Sequence, residues 1–552
     1  MLKKFAILAA ASLPVLFFFW YAYHFSTPFP NEDDIPAILA FINRAFPFTP
    51  EAGRLLFVPF REHVILPAKL IAYLQVAVTG QMDLKMMILL GNLFWARILW
   101  LLYRSSQETK LPTLYFLPVP FILFQVQFSE TALWPMALWS NLIVVWLAVE
   151  SLNLLISEKK EFWRFGLAFF LGLTATFSNG NGLLVLLIGF GVLLFQRAAP
   201  KRLVLWGTAS VFVILAYQWA KSLGIPDTFY GVQKNPLKWL LGSMIFVGNY
   251  GDFISGSLKK VALGLGFVLT AALVVINLGQ WKKPSYGTSF HFRMLVFFLF
   301  ILATAGGVSI LRTEPVGLDA MYLGRYRHYS ALAVALVYLS SMVYLYPKRH
   351  ANWLFAGTMA ASLVVGAFSY YRDWGYRYMD NQRFFTDAYN MQHNNALYLE
   401  MPAPQEFASI FQETLAKNLL KADLTSLADF KWPSSSEKLP LAPITLHVDQ
   451  SADTTRCVEA YTVQSTTPQF ELAPNAMWFW ALKSDQHTFL YPTTSLKTKP
   501  AQFVRQRTYF QPGFVGELAT CQLPEGEYQL FLVHLAENKK VQFYTTKQTI
   551  RP

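Results

Sequence analysis

The chain has 552 residues, 54% of them hydrophobic and 16% aromatic, with only 14% charged and a mean hydropathy of +0.33. That balance is too apolar for a soluble chain of this length and assigns it to the membrane class. The net charge of +13 would point to nucleic acid in a soluble protein, but no nucleic-acid motif is present, and much of the excess sits in short connections between apolar runs.

Crossing about 30 Å of hydrocarbon takes roughly 20 mostly apolar residues. Eleven stretches qualify, near 5 to 24, 84 to 103, 111 to 127, 133 to 155, 162 to 177, 180 to 195, 203 to 220, 261 to 279, 293 to 310, 328 to 346 and 352 to 370. The first follows Lys3 and Lys4 and lacks a small-x-small cleavage site after its apolar run, so it reads as an uncleaved helix whose start stays inside. From there every second connection is basic: Arg104 and Lys110; Lys159, Lys160 and Arg164; Arg197, Lys201 and Arg202; Lys282, Lys283 and Arg293; Lys348 and Arg349. By the positive-inside rule these are the inner loops, and an odd number of spans sends residue 371 onward outside, to the periplasm in a bacterial chain. The expected fold is an α-helical polytopic membrane domain over 1–371, with about 11 spans and interfacial helices in its outer loops. A helical linker over 372–435 and a small β-sandwich over 436–552 are expected to follow it.

Three outer loops are long. The first, residues 25 to 83, carries Asn31-Glu32-Asp33-Asp34 directly after the membrane exit. Clustered carboxylates can hold a divalent cation or take a proton from an acceptor hydroxyl. They can equally cap the helix that Pro36 begins. Further on, Arg61-Glu62-His63 opens an amphipathic stretch with Val64, Ile65, Leu66, Lys69, Leu70 and Leu74, the pattern of a helix lying in the interface. No second histidine stands at metal-ligand spacing from His63.

Among the short outer connections, Glu130 precedes Trp134 and Pro135, and Asn179-Gly180-Asn181-Gly182 begins a span. The glycines read as a tight turn, Glu130 as a helix cap or a sugar contact, and the asparagine amides as groups able to bind a sugar hydroxyl. The middle long loop, 221 to 260, offers Asp227 and Asp252 as its acidic candidates and Lys234, Lys238, Lys259 and Lys260 as headgroup contacts. The last, 311 to 327, places Arg312, Arg325 and Arg327 on the side where positive charge is normally avoided. Guanidinium matches phosphate bidentately. Anionic headgroups, or internal pairs such as Arg312 with Glu314 or Asp319, are the plain alternative.

After Tyr371 the composition turns polar. Phe407, Ile410, Phe411, Leu415, Leu419 and Leu420 recur at helical spacing, and from Ile444 alternating runs such as Gln529-Leu530-Phe531-Leu532-Val533 and Val541-Gln542-Phe543-Tyr544 read as strands. Trp478, Phe479, Trp480 and Tyr491 can stack on sugar rings or fill the core. The only cysteines, Cys457 and Cys521, lie in this tail. An oxidising compartment permits a disulfide between them, and two buried thiols are the alternative.

The acidic Asn31-Glu32-Asp33-Asp34, Arg61-Glu62-His63, Ser178-Asn179-Gly180-Asn181-Gly182 and Gly324-Arg325-Tyr326, taken in this order over residues 1 to 371, resemble the GT-C superfamily of multi-span glycosyltransferases that use lipid-phosphate-linked sugars. The resemblance implies that Asp33 or Asp34 is catalytic. It implies that Arg325, with Arg312, Arg327 and Tyr326, holds the donor phosphate. Glu32, Glu62, His63, Glu130, Asn179 and Asn181 remain for the sugar or acceptor. It implies inverting transfer from a polyprenyl-phosphate donor to a glycan, lipid or protein acceptor at the periplasmic face of a bacterial inner membrane. No clean second acidic motif of the metal-binding kind is present, so a requirement for Mg or Mn stays open. On this reading the carboxylates past the first span and the late-loop arginines share one exterior hollow. A lipid-linked glycan flippase or polymer export component, and a noncatalytic scaffold, are the competing classes. The sugar, the acceptor and the oligomeric state are not encoded in any motif.

Overall fold

The computed structural model describes residues 2–157, 161–224, 235–254, 256–283, 285–397, 399, 404–422, 432, 439–440, 445–449, 460–465, 477–520, 523–536 and 540–551. They form two compact units, one made of residues 1–26 and 44–373, the other of 27–43 and 374–552.

In the first unit, composition and chain punctuation set the helices. Asp83 accepts the Met86 N–H at 2.9 Å to start Leu84–Gln107, Asn235 accepts the Lys238 N–H at 3.1 Å to start Pro236–Gly248, and Ser289 accepts the Phe292 N–H at 3.2 Å to start Phe290–Val316. Gly80, at φ +81, stops Leu66–Thr79. Among the described residues eight helical segments are long and apolar enough to cross a membrane: Lys4–Phe25, Leu84–Gln107, Pro135–Ile156, Pro200–Ser222, Lys259–Leu278, Phe290–Val316, Gly324–Leu345 and Arg349–Asn394. Their outward faces expose large apolar side chains, such as Val211, Phe212, Leu215 and Trp219 on Pro200–Ser222, as a lipid-facing surface requires.

The other three expected spans take different forms. Residues 111–127 are a broken series, Thr113–Phe116, Pro118–Leu123 and Val126–Phe128, because Pro118 and Pro120 lack backbone donors and disfavour helical geometry just before them. Phe162–Thr176 and Leu183–Phe195 are continuous, but their 15 and 13 residues give only about 20 Å each at 1.5 Å per residue, short of a bilayer core. Small residues draw some helices into backbone contact. A Cβ on Gly266 would lie 1.9 Å from the Met244 carbonyl oxygen, and one on Gly248 2.0 Å from that of Ala262. Pro236–Gly248 and Lys259–Leu278 therefore meet main chain to main chain.

Among its described residues the second unit holds eight strands in two antiparallel four-stranded sheets, ordered β1-β2-β6-β5 and β4-β3-β7-β8. The strands are β1 Thr445–Asp449, β2 Ala460–Ser465, β3 Met477–Lys483, β4 Thr488–Pro492, β5 Thr494–Lys497, β6 Phe510–Ala519, β7 Tyr528–Leu535 and β8 Val541–Ile550. One face of β3, with Trp478, Trp480 and Leu482, packs with Phe514 and Leu518 of β6. Gly516 makes room there, since a Cβ would sit 2.1 Å from the Trp480 ring. The opposite face, with Phe479 and Ala481, packs on Phe385 and Tyr389 of the helix Arg349–Asn394. Covered on both sides, β3 is buried at five successive residues and does not alternate. Trp478, Phe479, Trp480 and Tyr491 are therefore core residues.

The same helix closes the β4 edge. Asn390 donates its amide to the Leu490 carbonyl at 2.8 Å and accepts the Leu490 N–H at 2.9 Å, doing what a neighbouring strand would do. Asn390→Ala is expected to cost about 1–3 kcal/mol, because both backbone groups stay buried without a partner. The check is a lowered midpoint of thermal unfolding of the intact protein in detergent, and an unchanged midpoint would show the edge to be held by other means. Cys457 and Cys521 lie outside the described residues.

Candidate functional site

The acidic motif folds with the second unit. Asp34 is fully buried and accepts the Asn31 N–H at 2.9 Å, closing a turn in which the Asn31 carbonyl accepts the Asp34 N–H at 2.9 Å. The chain then enters a π-helical turn, Ile35–Leu39, with Pro36 in its first turn. Glu32 accepts from Arg383 at 3.0 Å. Asp33 is half-buried. This segment is fixed by Phe29 against Phe384 and Phe411, by Asn43 donating to the Ile410 carbonyl at 3.0 Å, and by Lys417 donating to the Asn43 carbonyl at 2.7 Å. Arg312, Arg325 and Arg327 belong to the first unit, so neither unit by itself contains both halves of the expected hollow.

Within the first unit the three arginines differ sharply. Gly317, at φ +90, ends Phe290–Val316, and two 3-10 turns, Leu318–Tyr322 and Gly324–Tyr326, lead into the helix Arg327–Leu345. Arg327 is 2% exposed and Asp252 is fully buried. Their ion pair spans 3.3 Å, and the same guanidinium reaches Asn249 Oδ1 and the Tyr322 carbonyl at 3.4 Å each. Asp252 also accepts the N–H groups of Gly256 at 2.7 Å and Leu258 at 3.0 Å. Arg327 thus fastens two loops together. Nearby, burial first and then Asp252 and Asp319 push the Tyr322 phenol up, keeping it a neutral donor to the Lys259 carbonyl at 3.1 Å.

Arg312 is half-exposed and paired with Glu62, whose Oε2 also lies 3.8 Å from His63 Nε2. Lys238 pairs with Glu314 at 3.3 Å and Lys259 with Asp319 at 2.7 Å. Of the three arginines Arg325 alone is exposed, and among the described residues its guanidinium has no carboxylate partner. Its main chain is held firmly. Its N–H donates to Glu130 Oε2 at 3.1 Å and its carbonyl accepts from the Thr131 hydroxyl at 3.2 Å. A Cβ on Gly324 would fall 2.8 Å from the Glu130 carboxylate, so glycine there lets the turn close onto it. The neighbouring Tyr326 ring packs 5.0 Å from Phe246.

A polar seam continues from this turn. His328 Nε2 lies 3.2 Å from the Asn141 carbonyl oxygen, and the Asn141 side chain accepts from the Asn179 amide at 2.6 Å. Asn181 donates to the Tyr329 hydroxyl at 2.8 Å and to Thr304 at 3.2 Å, while its buried Oδ1 has no hydrogen-bond partner among the described residues. The glycines between them sit in contact with other elements. A Cβ on Gly182 would be 1.9 Å from the Ala175 carbonyl oxygen, and one on Gly180 would be 3.1 Å from both His63 Nδ1 and the Tyr217 hydroxyl. Through Gly180 the seam reaches His63, Glu62 and Arg312. Five site residues proposed from sequence, Glu62, His63, Arg312, Asn179 and Asn181, therefore lie along one connected path, with Glu130 and Arg325 at its other end.

Sequence reasoning passed over Asn141, Thr304, His328 and Tyr329. The available signal was polar side chains inside or at the head of apolar spans, which are costly there and carry functional weight. Among the described residues no group of three or more His, Cys, Asp or Glu side chains is placed to hold a metal ion.

The helix Leu66–Thr79 is joined to this region by the Leu66 N–H donating to the Phe177 carbonyl at 2.9 Å. It buries Lys69, whose ammonium donates to the carbonyls of Leu55 at 2.9 Å and Val58 at 2.6 Å. Burial pushes the Lys69 pKa down to about 8 from the usual 10.5. The unfolded chain then binds the extra proton between those values, so this group makes stability rise with pH from about 8 to about 10.5. The gain approaches roughly 3 kcal/mol at 1.36 kcal/mol per unit. Lys69→Met is expected to flatten that rise in thermal unfolding scans between pH 7.5 and 10. Equal slopes for both proteins would refute the assignment.

Comparison of the chain with protein-family models, with curated proteins and with solved structures finds no match.

Proposed function

We propose that the protein is a membrane-embedded glycosyltransferase that moves a sugar from a polyprenyl phosphate to an acceptor hydroxyl at the outer face of a bacterial inner membrane. The observation that carries this reading is Arg325, an exposed guanidinium without a carboxylate partner among the described residues, on a turn that Glu130 holds at the head of an apolar helix. A phosphate whose isoprenoid tail lies in lipid presents its charge at that depth, and guanidinium is the side chain best matched to it. Arg327, engaged by Asp252, keeps a supporting role, and Arg312 acts together with Glu62. In this scheme the acceptor oxygen attacks the anomeric carbon, the bond from that carbon to the phosphate oxygen breaks with inversion, and the polyprenyl phosphate leaves with the electron pair. The acceptor proton passes to Asp33, which is half-buried, whereas the Asp34 carboxylate is fully buried and closes its own turn. The asparagine amides of the seam supply hydroxyl contacts, and the unfilled Asn181 Oδ1 suits a sugar O–H.

The proposed orientation follows from the basic connections: the N-terminus inside, residues 374–552 in the periplasm, with the short helices Phe162–Thr176 and Leu183–Phe195 and the broken 113–132 segment accounting for the rest of the passage. That broken segment and the seam of buried polar groups also favour a second reading, a lipid-linked glycan flippase, since transporters place discontinuous helices and polar side chains between spans.

The two readings separate in proteoliposomes supplied with a panel of polyprenyl-phosphate pentoses and hexoses. Transfer to an acceptor pool releases polyprenyl phosphate, and Asp33→Asn is expected to slow that release by roughly 10²–10⁴-fold, the usual weight of a general base. Donor that crosses the bilayer intact, with no release, supports the flippase. A normal rate in Asp33→Asn removes Asp33 from the mechanism.

A further inference from the structure

At the opposite end of Phe290–Val316 from Arg312, an apolar cavity of about 430 Å³ opens between that helix, Leu183–Phe195 and Lys259–Leu278. Gly191, Phe195, Leu278, Trp281, Phe292 and Leu299 are among its lining residues. Phe195, Leu278 and Trp281 are also exposed on the outer surface of the unit, so the cavity is a groove open toward lipid. The polar pair in its wall is satisfied internally, the Tyr286 hydroxyl donating to Asn277 Oδ1 at 2.6 Å. The groove therefore offers its occupant apolar contact alone.

Its rim is different. Gln196 donates to the Gly287 carbonyl at 2.8 Å, tying the end of Leu183–Phe195 to the loop that follows Lys259–Leu278. Arg197 follows the lining residue Phe195 by two positions, and Lys282 and Lys283 directly follow the lining residue Trp281, so all three cations stand where the chain leaves the groove. All three are exposed, and none makes an ion pair among the described residues. An apolar slot ending in three uncompensated cations matches a molecule with a hydrocarbon tail and an anionic head.

We propose that this groove binds an anionic phospholipid, with one acyl chain along Gly191, Phe195 and Leu299 and the headgroup phosphate on Arg197, Lys282 and Lys283. A second copy of the chain packing isologously would bring the two cationic rims together, which like-charge repulsion opposes. A zwitterionic lipid fills the slot equally well but gains less from the cations. The inference stands apart from the glycosyltransferase reading, because it concerns basic inner-loop residues and its test contains no sugar donor.

The test is native mass spectrometry of the full-length protein released from nanodiscs of equimolar phosphatidylglycerol and phosphatidylcholine. Wild type is expected to retain one phosphatidylglycerol in preference to phosphatidylcholine by roughly 30- to 150-fold, the scale set by two or three cations at a headgroup. The triple variant Arg197→Ala, Lys282→Ala, Lys283→Ala should keep a lipid but lose the preference. Gly191→Trp should lose the lipid, and it is expected to fold, because a Cβ at Gly191 meets no heavy atom within 4 Å. Ile188→Trp, from the same wall, provides the second filling variant. Thermal midpoints matching wild type confirm that each variant is folded. Equal retention of the two lipids by wild type, undiminished preference in the triple variant, retained lipid in both filled variants, or a dimer mass that disappears in Gly191→Trp would each overturn the proposal.

Discussion

Asp252→Leu is expected to be among the most damaging substitutions in the first unit, lowering stability by about 3–5 kcal/mol, the cost of leaving a buried charge without its partner. Asp252 answers three donors at once, the Arg327 guanidinium and the N–H groups of Gly256 and Leu258. Replacing it removes the carboxylate from all three while the site stays fully buried. Arg327→Met should cost less, because Asp252 keeps its two backbone N–H donors and Met fills a similar volume. The order of the two variants is therefore a sharper test than either magnitude. Thermal unfolding in detergent, extended to the double variant, measures the coupling. Additive losses in the double variant would show that the pair does not fasten the loops.

That pair also shows what a linear sequence withholds. The eight long apolar helices are legible because crossing a bilayer demands a run of apolar residues whatever they pack against. The strands from Gln529 and Val541 are legible because their pattern is local. Arg327 and Asp252 stand 75 residues apart, and nothing in either segment says that the other neutralises it. On sequence Arg327 looks as available to phosphate as Arg325. Residues 27–43 present the same difficulty, since they directly follow the first helix yet fold with Arg383, Phe411 and Lys417 from the far end of the chain. The Asn-Gly repeat does form the tight turn its composition suggests, the Gly182 N–H donating to the Asn179 carbonyl at 2.8 Å, but that its glycines are also sites of close approach to Ala175, His63 and Tyr217 is visible only in three dimensions. Buried β3 hides its period for a related reason: a helix covers the face that alternation would have left to solvent.

The largest expected effect on activity belongs to Arg325. If its guanidinium meets the charge that builds on the departing phosphate, Arg325→Ala should slow sugar release by roughly 10²–10³-fold, the range observed when one preorganised donor is removed from a developing oxyanion. Arg325→Lys keeps the charge but loses the planar fork, so it should recover only part of the rate. Glu130→Ala supplies the contrast. Its carboxylate holds the Arg325 main chain through one N–H at 3.1 Å, so its removal frees the turn without touching the guanidinium. It should lower kcat less than Arg325→Ala and reduce the benefit of having arginine there. The double variant Glu130→Ala, Arg325→Ala should match Arg325→Ala alone, because Glu130 acts only by positioning a guanidinium that is then absent. Stability must be followed in parallel, since replacing an exposed arginine with no carboxylate partner among the described residues should leave the unfolding free energy within about 0.5 kcal/mol of wild type. A rate unaffected by Arg325→Ala in a folded protein would remove the phosphate anchor from this turn and, with it, the principal support for a transferase.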